Sequence, residues 1–259
     1  MRRATARRGP MEGQATEESK MSASNNSDFL VIGHRGARGH APENTLLALD
    51  TGILLGAHWV EFDVQLHPEG ALLVFHDLTL DRTTNGKGPL SQCDFATLRG
   101  LDAGKGQQIP TLEEALDLIE QRVGANIELK TADGTGEAVA GVLRQYLDAG
   151  WPAERFLVSS FHLPELWEFH QAAPEIPVGV LLGGVPLDWA GCATELQAAS
   201  VNISSEFVDP RLVADAKEHG RKVYVYTVND PAEMRALRAL GVDGVFTDYP
   251  DRALKLGHS

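Results

Sequence analysis

Phe29-Leu30-Val31-Ile32-Gly33-His34-Arg35-Gly36 leads through Pro42-Glu43-Asn44-Thr45 into the helix-length run Leu46–Leu55. An apolar run, a histidine and an arginine, a turn and then a helix make one β-to-α unit with ionisable side chains at the strand's C-terminal end. α/β barrels keep their chemistry at that end. Outward from this unit, short β-branched runs alternate with helix-length stretches. The strands expected are Phe29–Gly33, His58–Gln65, Leu72–Phe75, Asn126–Lys130, Phe156–Ser160, Val178–Leu182, Val201–Ile203, Val223–Thr227 and Gly244–Thr247. Helices are expected at Leu112–Gln121, Gly136–Ala149, Leu163–Ala172, Arg211–His219 and Ala232–Leu240. Such alternation predicts an α/β fold with a mainly parallel sheet. An eight-stranded barrel leaves one strand over. Only the turn His67-Pro68-Glu69-Gly70 separates the second strand from the third, so one of that pair is expected to be antiparallel or peripheral. An open, doubly wound sheet is the alternative architecture.

Between His76 and Pro110 the rhythm lapses, and turn residues such as Asn85-Gly86-Lys87-Gly88-Pro89 take over. An insertion of this length commonly caps a site. Its glycines match no nucleotide-binding P-loop, because no Gly-Lys-Ser/Thr closes the pattern.

With 259 residues, 43% hydrophobic and 23% charged, the chain suits one α/β barrel and an ordinary globular composition. Its net charge is −13, and the four arginines of residues 1–10 only mask a still more acidic remainder. Nucleic acid is therefore disfavoured as a ligand, since phosphate backbones are held by clustered Lys and Arg. Cys93 and Cys192 form no CxxC pair, which excludes zinc-thiolate sites and reads as two reduced thiols of a cytoplasmic protein. The longest apolar stretch, Ile176–Leu187, is interrupted by Pro and Gly, so no membrane span is expected. Residues 1–28 are polar and lack the apolar region of a signal peptide; a disordered tail is expected there, ahead of one domain over 29–259 with its insertion at about 77–110. The oligomeric state is not legible.

The chemistry is read from side-chain alternation. In Trp59-Val60-Glu61-Phe62-Asp63-Val64-Gln65 a strand puts Glu61, Asp63 and Gln65 on one face and the apolar residues on the other. Two adjacent carboxylates repel unless a proton or a cation lies between them. A hard divalent ion with oxygen ligands suits them, although an edge strand with a solvated acidic face has the same pattern. Asn126-Ile127-Glu128-Leu129-Lys130 favours the first reading: Glu128 offers a third carboxylate and Lys130 a cation for a substrate phosphate. His34 and His76 both end strands, and histidine moves protons near neutral pH. Cleaving a phosphodiester needs one group to activate the attacking oxygen and another to protonate the departing one. Arg35 suits a phosphate clamp, with a salt bridge to Glu43 or Asp248 as the competing role. Asn44 is expected to cap the helix that begins near Thr45. Together these residues point to metal-assisted phosphodiester cleavage.

At this point the chain resembles the glycerophosphodiester phosphodiesterases of the bacterial cytosolic type, over essentially all of Phe29–Leu256. The resemblance rests on His34-Arg35-Gly36 with Pro42-Glu43-Asn44-Thr45, on Glu61-Phe62-Asp63-Val64, on Phe75-His76-Asp77 and on Leu80-Asp81-Arg82-Thr83-Thr84-Asn85-Gly86. Ile109-Pro110-Thr111-Leu112-Glu113-Glu114, Glu128-Leu129-Lys130, Val158-Ser159-Ser160-Phe161, Thr227-Val228-Asn229 and Thr247-Asp248-Tyr249-Pro250 follow in the family's order. It implies a TIM-type (β/α)8 barrel with a small insertion after the third strand. It implies metal ligation of Mg²⁺ or Ca²⁺ by Glu61, Asp63 and Glu128, acid–base catalysis by His34 and His76, and substrate binding by Arg35 and Lys130. The implied reaction releases glycerol 3-phosphate and an alcohol such as choline or ethanolamine. The family usually has Trp where Tyr226 stands, which bears on the alcohol-side pocket. Two rivals remain. Phosphodiesterases that act on lysolipids share the layout, and an exposed apolar patch beside the mouth would favour them. A non-catalytic binding protein is disfavoured because both histidines and all three carboxylates are retained.

Overall fold

Leu30–Gly33 (β1) pairs in parallel with both Trp59–Leu66 (β2) and Gly244–Thr247 (β9), which closes the sheet on itself. These are residues of a computed structural model that describes 29–258; the tail expected over residues 1–28 lies outside them. Continuing from β2, the barrel runs through Gly124–Leu129 (β4), Phe156–Ser160 (β5), Val178–Leu182 (β6), Ser200–Ser204 (β7) and Lys222–Tyr226 (β8) back to β9, every pair parallel. Leu72–Val74 (β3) is the extra strand, antiparallel to β2 and outside the closed ring. Closure through β1 excludes the open, doubly wound sheet, and the fold is a TIM-type barrel.

The helices are Leu46–Leu54 (α1), Phe95–Arg99 (α2), Leu112–Ile119 (α3), Thr135–Asp148 (α4), Leu163–Ala172 (α5), Cys192–Glu195 (α6), Pro210–Glu218 (α7), Pro231–Leu240 (α8) and Pro250–Leu254 (α9). Sequence signals set several of their starts. Thr111 and Glu114 form a reciprocal capping box on α3. Asp209 and Asp230 cap α7 and α8 ahead of a proline in the first turn. The short helices α2, α6 and α9 are not expected from the sequence, because four or five residues carry too little periodicity.

The two faces of each strand build two cores. Val60, Phe62 and Val64 of β2 and Ala125, Ile127 and Leu129 of β4 pack outward with the helices. Ile32, Leu157, Tyr224 and Phe246 come from four different strands and meet inside the barrel. The side chains between the apolar positions of β2 and β4, Glu61, Asp63, Asn126 and Glu128, therefore point inward above that plug.

Gly36 shows why the first β-to-α turn needs its glycine. Its φ is +83°, and a Cβ there would lie 2.4 Å from the carbonyl carbon of Ala48 in α1. Gly36→Ala is expected to destabilise the fold by more than about 1 kcal/mol, read as a lower urea midpoint with an unchanged slope; an unchanged midpoint would refute the packing argument.

The stretch from β3 to α3 has a small core of its own, made by Leu73, Phe75, Leu80, Leu90, Leu98, Ala103 and Ile109. Gln65, the last inward residue of β2, ties it down by donating to the carbonyls of Phe75 and Asp77 at 2.9 and 2.8 Å. His67 adds a bond to the Cys93 carbonyl at 2.9 Å. Two further histidines also serve the scaffold: His58 accepts from the Val31 amide, and His162 from the Glu165 amide at the start of α5. Cys93 and Cys192 are free thiols. Among the described residues no helix is long and apolar enough to cross a membrane.

Candidate active site

Strand register assembles the acidic cluster. Asp63 of β2 lies directly opposite Glu128 of β4, and Glu61 is two residues back on the same inward face. Each of the three offers an oxygen within 4.8 Å of the others. Glu61 and Asp63 are only 2% and 1% exposed, so the face is no solvated edge. The Arg35 amide donates to Glu61 Oε2 at 2.8 Å, while Glu61 Oε1 is buried without any hydrogen-bond partner. Burial, then the charges of Asp63 and Glu128, push the Glu61 carboxyl well above its ordinary range. Glu128 is raised by burial and by Asp63. Three crowded carboxylates, one of them with an orphaned oxygen, fit a hard divalent cation, because oxygen ligands of one sign need an opposite charge among them.

Two cations border the cluster. Lys130 Nζ contacts Glu128 Oε1 at 2.7 Å and Asp63 Oδ1 at 3.6 Å. Burial opposes its charge, but Glu128 and Asp63 outweigh burial and raise its pKa. Arg35, 8% exposed, reaches Glu43 Oε1 at 2.6 Å through Nη1 and Asp63 Oδ2 at 3.3 Å through Nε. The alternative of a salt bridge to Glu43 is thus realised in the geometry, whereas Asp248 is engaged elsewhere. Asn44 does not cap α1; Thr45 does, accepting from the Ala48 amide. Instead Asn44, at φ 57°, donates to Asp63 Oδ2 at 2.7 Å and accepts from the Asp63 amide at 3.2 Å, which fixes that carboxylate in place.

The two histidines, just beyond the ends of β1 and β3, share one design. Gly33 of β1 is in register with Thr247 of β9, so the next residues, His34 and Asp248, stand side by side. His34 Nδ1 lies 2.8 Å from Asp248 Oδ1. Asp248 is itself held by Asn229 Nδ2 at 2.8 Å and by Arg38 Nε at 2.8 Å. His76 Nδ1 lies 2.6 Å from Asp77 Oδ1, and Arg82 grips Asp77 through Nε and Nη2 at 2.7 and 2.9 Å. With each Nδ1–H donated to a carboxylate, each Nε2 is left as the working nitrogen. Burial lowers the pKa of both rings, with their aspartates opposing it only in part.

Arg82 joins the two sides. Beyond Asp77 it donates to Glu43 Oε2 and Oε1 at 2.9 and 2.7 Å, and Glu43 also holds Arg35. Burial alone would raise the Glu43 carboxyl, but Arg82 and Arg35 bring it from 4.5 down to about 2. Asp77 is held below the usual carboxylate range by Arg82 and His76. A carboxylate with a depressed pKa stabilises the fold fully above its unfolded value and loses that stabilisation as pH falls toward the folded one. Glu43→Gln is therefore expected to flatten the acid limb of melting temperature against pH between about 4.5 and 2. Superimposable acid limbs for variant and wild type would refute it.

Asp248, Asp77, Asn44, Asn229, Arg38 and Arg82 are supporting residues whose roles the sequence did not disclose, while Glu43 is expected there as a competing partner of Arg35. All of these but Arg38 stand in the quoted motifs, which was the available signal.

The sequence profile of the glycerophosphoryl diester phosphodiesterase family matches residues 34–252. A glycerophosphodiester phosphodiesterase of Caldanaerobacter subterraneus subsp. tengcongensis is 35% identical over 240 residues, covering 88% of this chain and 97% of the relative. One of Bacillus altitudinis is 34% identical over 237 residues, covering 87% and 97%. The solved structure of an Oleispira antarctica phosphodiesterase in complex with the product sn-glycerol-3-phosphate superposes with a TM-score of 0.83 at 36% identity, covering 90% of this chain and 98% of that one.

Proposed function

This chain belongs to the glycerophosphodiester phosphodiesterase family and is a phosphoric diester hydrolase, and from that premise we propose that it hydrolyses glycerophosphodiesters such as glycerophosphocholine or glycerophosphoethanolamine by two-histidine acid–base catalysis. The observation that carries this reading is the pair of aspartate-braced histidines together with the buried cluster of three carboxylates. Arg35 and Lys130 hold the phosphate of the substrate. The product named in the Oleispira antarctica complex is the product this reading assigns here.

His34, neutral because burial depresses its pKa, takes a proton through Nε2 from the glycerol 2-hydroxyl or from a water. The oxygen so activated forms the new bond to phosphorus, and the bond from phosphorus to the departing alcohol breaks; attack by water gives glycerol 3-phosphate directly, whereas attack by the 2-hydroxyl gives a cyclic glycerol phosphate that a water then opens to glycerol 3-phosphate. His76 supplies the proton that the departing oxygen needs. Arg35 and Lys130 are among the groups that lower the His76 pKa, after burial. A phosphate anion between them offsets their charge, so substrate binding itself favours the protonated, acid form of His76. The same two cations stabilise the charge that builds on the phosphoryl oxygens.

Glu61, Asp63 and Glu128 would hold a divalent metal, Mg²⁺ or Ca²⁺, which when bound supplies Lewis-acid polarisation of the phosphoryl oxygen. Two free thiols support a reducing compartment, the cytoplasm.

The test is release of glycerol 3-phosphate from glycerophosphocholine by the purified protein, with Mg²⁺ or Ca²⁺ and with EDTA. Metal-dependent release is expected. Absence of release under both ions, with the protein folded, would overturn the reading.

A further inference from the structure

The aspartates that brace the two histidines have one detail in common. In each, an arginine donates to the same carboxylate oxygen that receives the ring. On Asp77 this is Arg82, whose Nη2 shares Oδ1 with His76 Nδ1. On Asp248 it is Arg38, whose Nε lies 2.8 Å from the oxygen that is also 2.8 Å from His34 Nδ1. The two arginines differ in what else they hold. Arg82 also grips Glu43 and, through it, Arg35, so its removal disturbs the phosphate clamp as well. The Arg38 side chain has no partner but Asp248 among the described residues. Whatever Arg38 does at the site is therefore done through the aspartate of His34.

The backbone fixes its place. The Gly39 amide donates to the Asp248 carbonyl at 3.0 Å, and a Cβ on Gly39 would lie 2.3 Å from Cε1 of Tyr249. The turn after β1 is thus laid on the segment that follows β9, and Arg38, one residue earlier, reaches the carboxylate from the solvent side. A salt bridge between two exposed side chains contributes little, but the Asp248 side chain is only 10% exposed. A permanent cation on Oδ1 leaves less of that buried charge for the imidazole. Charging the ring would put two cations on one oxygen. Asn229 on Oδ2 is neutral and does not compete in this way. Burial comes first among the causes that lower the His34 pKa; Arg35 and Arg38 add to it, while Asp248 opposes. We propose that Arg38 is a positioning residue for the base: it holds Asp248 Oδ1 against His34 Nδ1 and, by neutralising part of that carboxylate's charge, keeps the ring uncharged and able to accept a proton. This deepens the reading of His34 as the base and rests on it.

The test is a nuclear magnetic resonance titration of the His34 ring in the full chain with EDTA present, its signal assigned by its absence from His34→Gln. In Arg38→Gln the midpoint is expected to rise by roughly half a pH unit or more, because the whole carboxylate charge then favours the imidazolium. Arg38→Lys keeps the cation and is expected to titrate close to the wild type. His76, braced through Arg82 instead, is expected to keep its midpoint in both variants. An unmoved His34 midpoint in Arg38→Gln overturns the proposal, as does an equal rise in Arg38→Lys. The acid limb of kcat/KM on glycerophosphocholine is expected to move up with the ring, since a base works only when unprotonated. A limb that stays in place while the midpoint rises would strike His34 as the base and leave the effect of Arg38 on the ring standing. Because the titration needs no turnover, failure to hydrolyse glycerophosphocholine would strike the function above without touching this result.

Discussion

Alanine at His34 or at His76 is expected to lower kcat by about 10²–10⁴-fold, the usual contribution of one positioned acid or base, with KM changed far less. The separation follows from the proposed roles: Arg35 and Lys130 are assigned the phosphate, and neither histidine is needed to keep them in place. Arg35 stays on Glu43 and Lys130 on Glu128. Folding is spared for a similar reason, since removing the His34 ring leaves Asp248 bound to Asn229 and Arg38. Asp248→Asn should reproduce part of the His34→Ala loss, in kcat only, because the amide no longer enforces one tautomer of the ring. Stopped assays on glycerophosphocholine, with kcat and KM resolved, decide the matter. Near-wild-type turnover in both alanine variants would sink the acid–base assignment.

Glu61→Gln is expected to cut turnover by about 10³-fold or more, since the polarisation lost with a metal is worth several kcal/mol. A second signature is independent of activity. In the metal-free protein Glu61 is buried among like charges with one oxygen unpartnered, so neutralising it relieves repulsion and raises the melting temperature. Adding Mg²⁺ or Ca²⁺ is expected to raise the wild-type melting temperature by linkage and to leave the variant nearly unmoved. An equal metal-induced shift in both proteins would remove Glu61 from the ligand set.

What was legible beforehand was short-range. The inward face of β2 and β4 can be read from alternation alone, because Glu61, Asp63 and Glu128 each sit between apolar residues that mark the outward face. The strand-end positions of His34 and His76 come from the apolar runs they terminate. The strand left over from the barrel is β3, marked by the tight turn before it. What was not legible depends on register between distant segments. Nothing local links His34 to Asp248, 214 residues later. Asn44 has the composition of a helix cap and sits next to the true cap, Thr45; only the folded approach of β2 turns its amide onto Asp63. Arg82 lies in an insertion without rhythm, and its double grip on Asp77 and Glu43 follows from how that insertion folds back.

The bond between His34 and Asp248 crosses the seam at which the first strand of the ring meets the last. A nascent chain has the carboxylates Glu61, Asp63 and Glu128, the cations Arg35 and Lys130 and the second histidine, His76, long before it has β9. Its base gains an orienting partner only when the circle shuts. On the mechanism proposed above, assembly and activity are therefore tied together by topology: a C-terminally shortened chain that lacks β9 is expected to carry the carboxylate cluster, Arg35, Lys130 and His76 and still to lack the partner that orients His34, and so to be inactive on phosphodiesters.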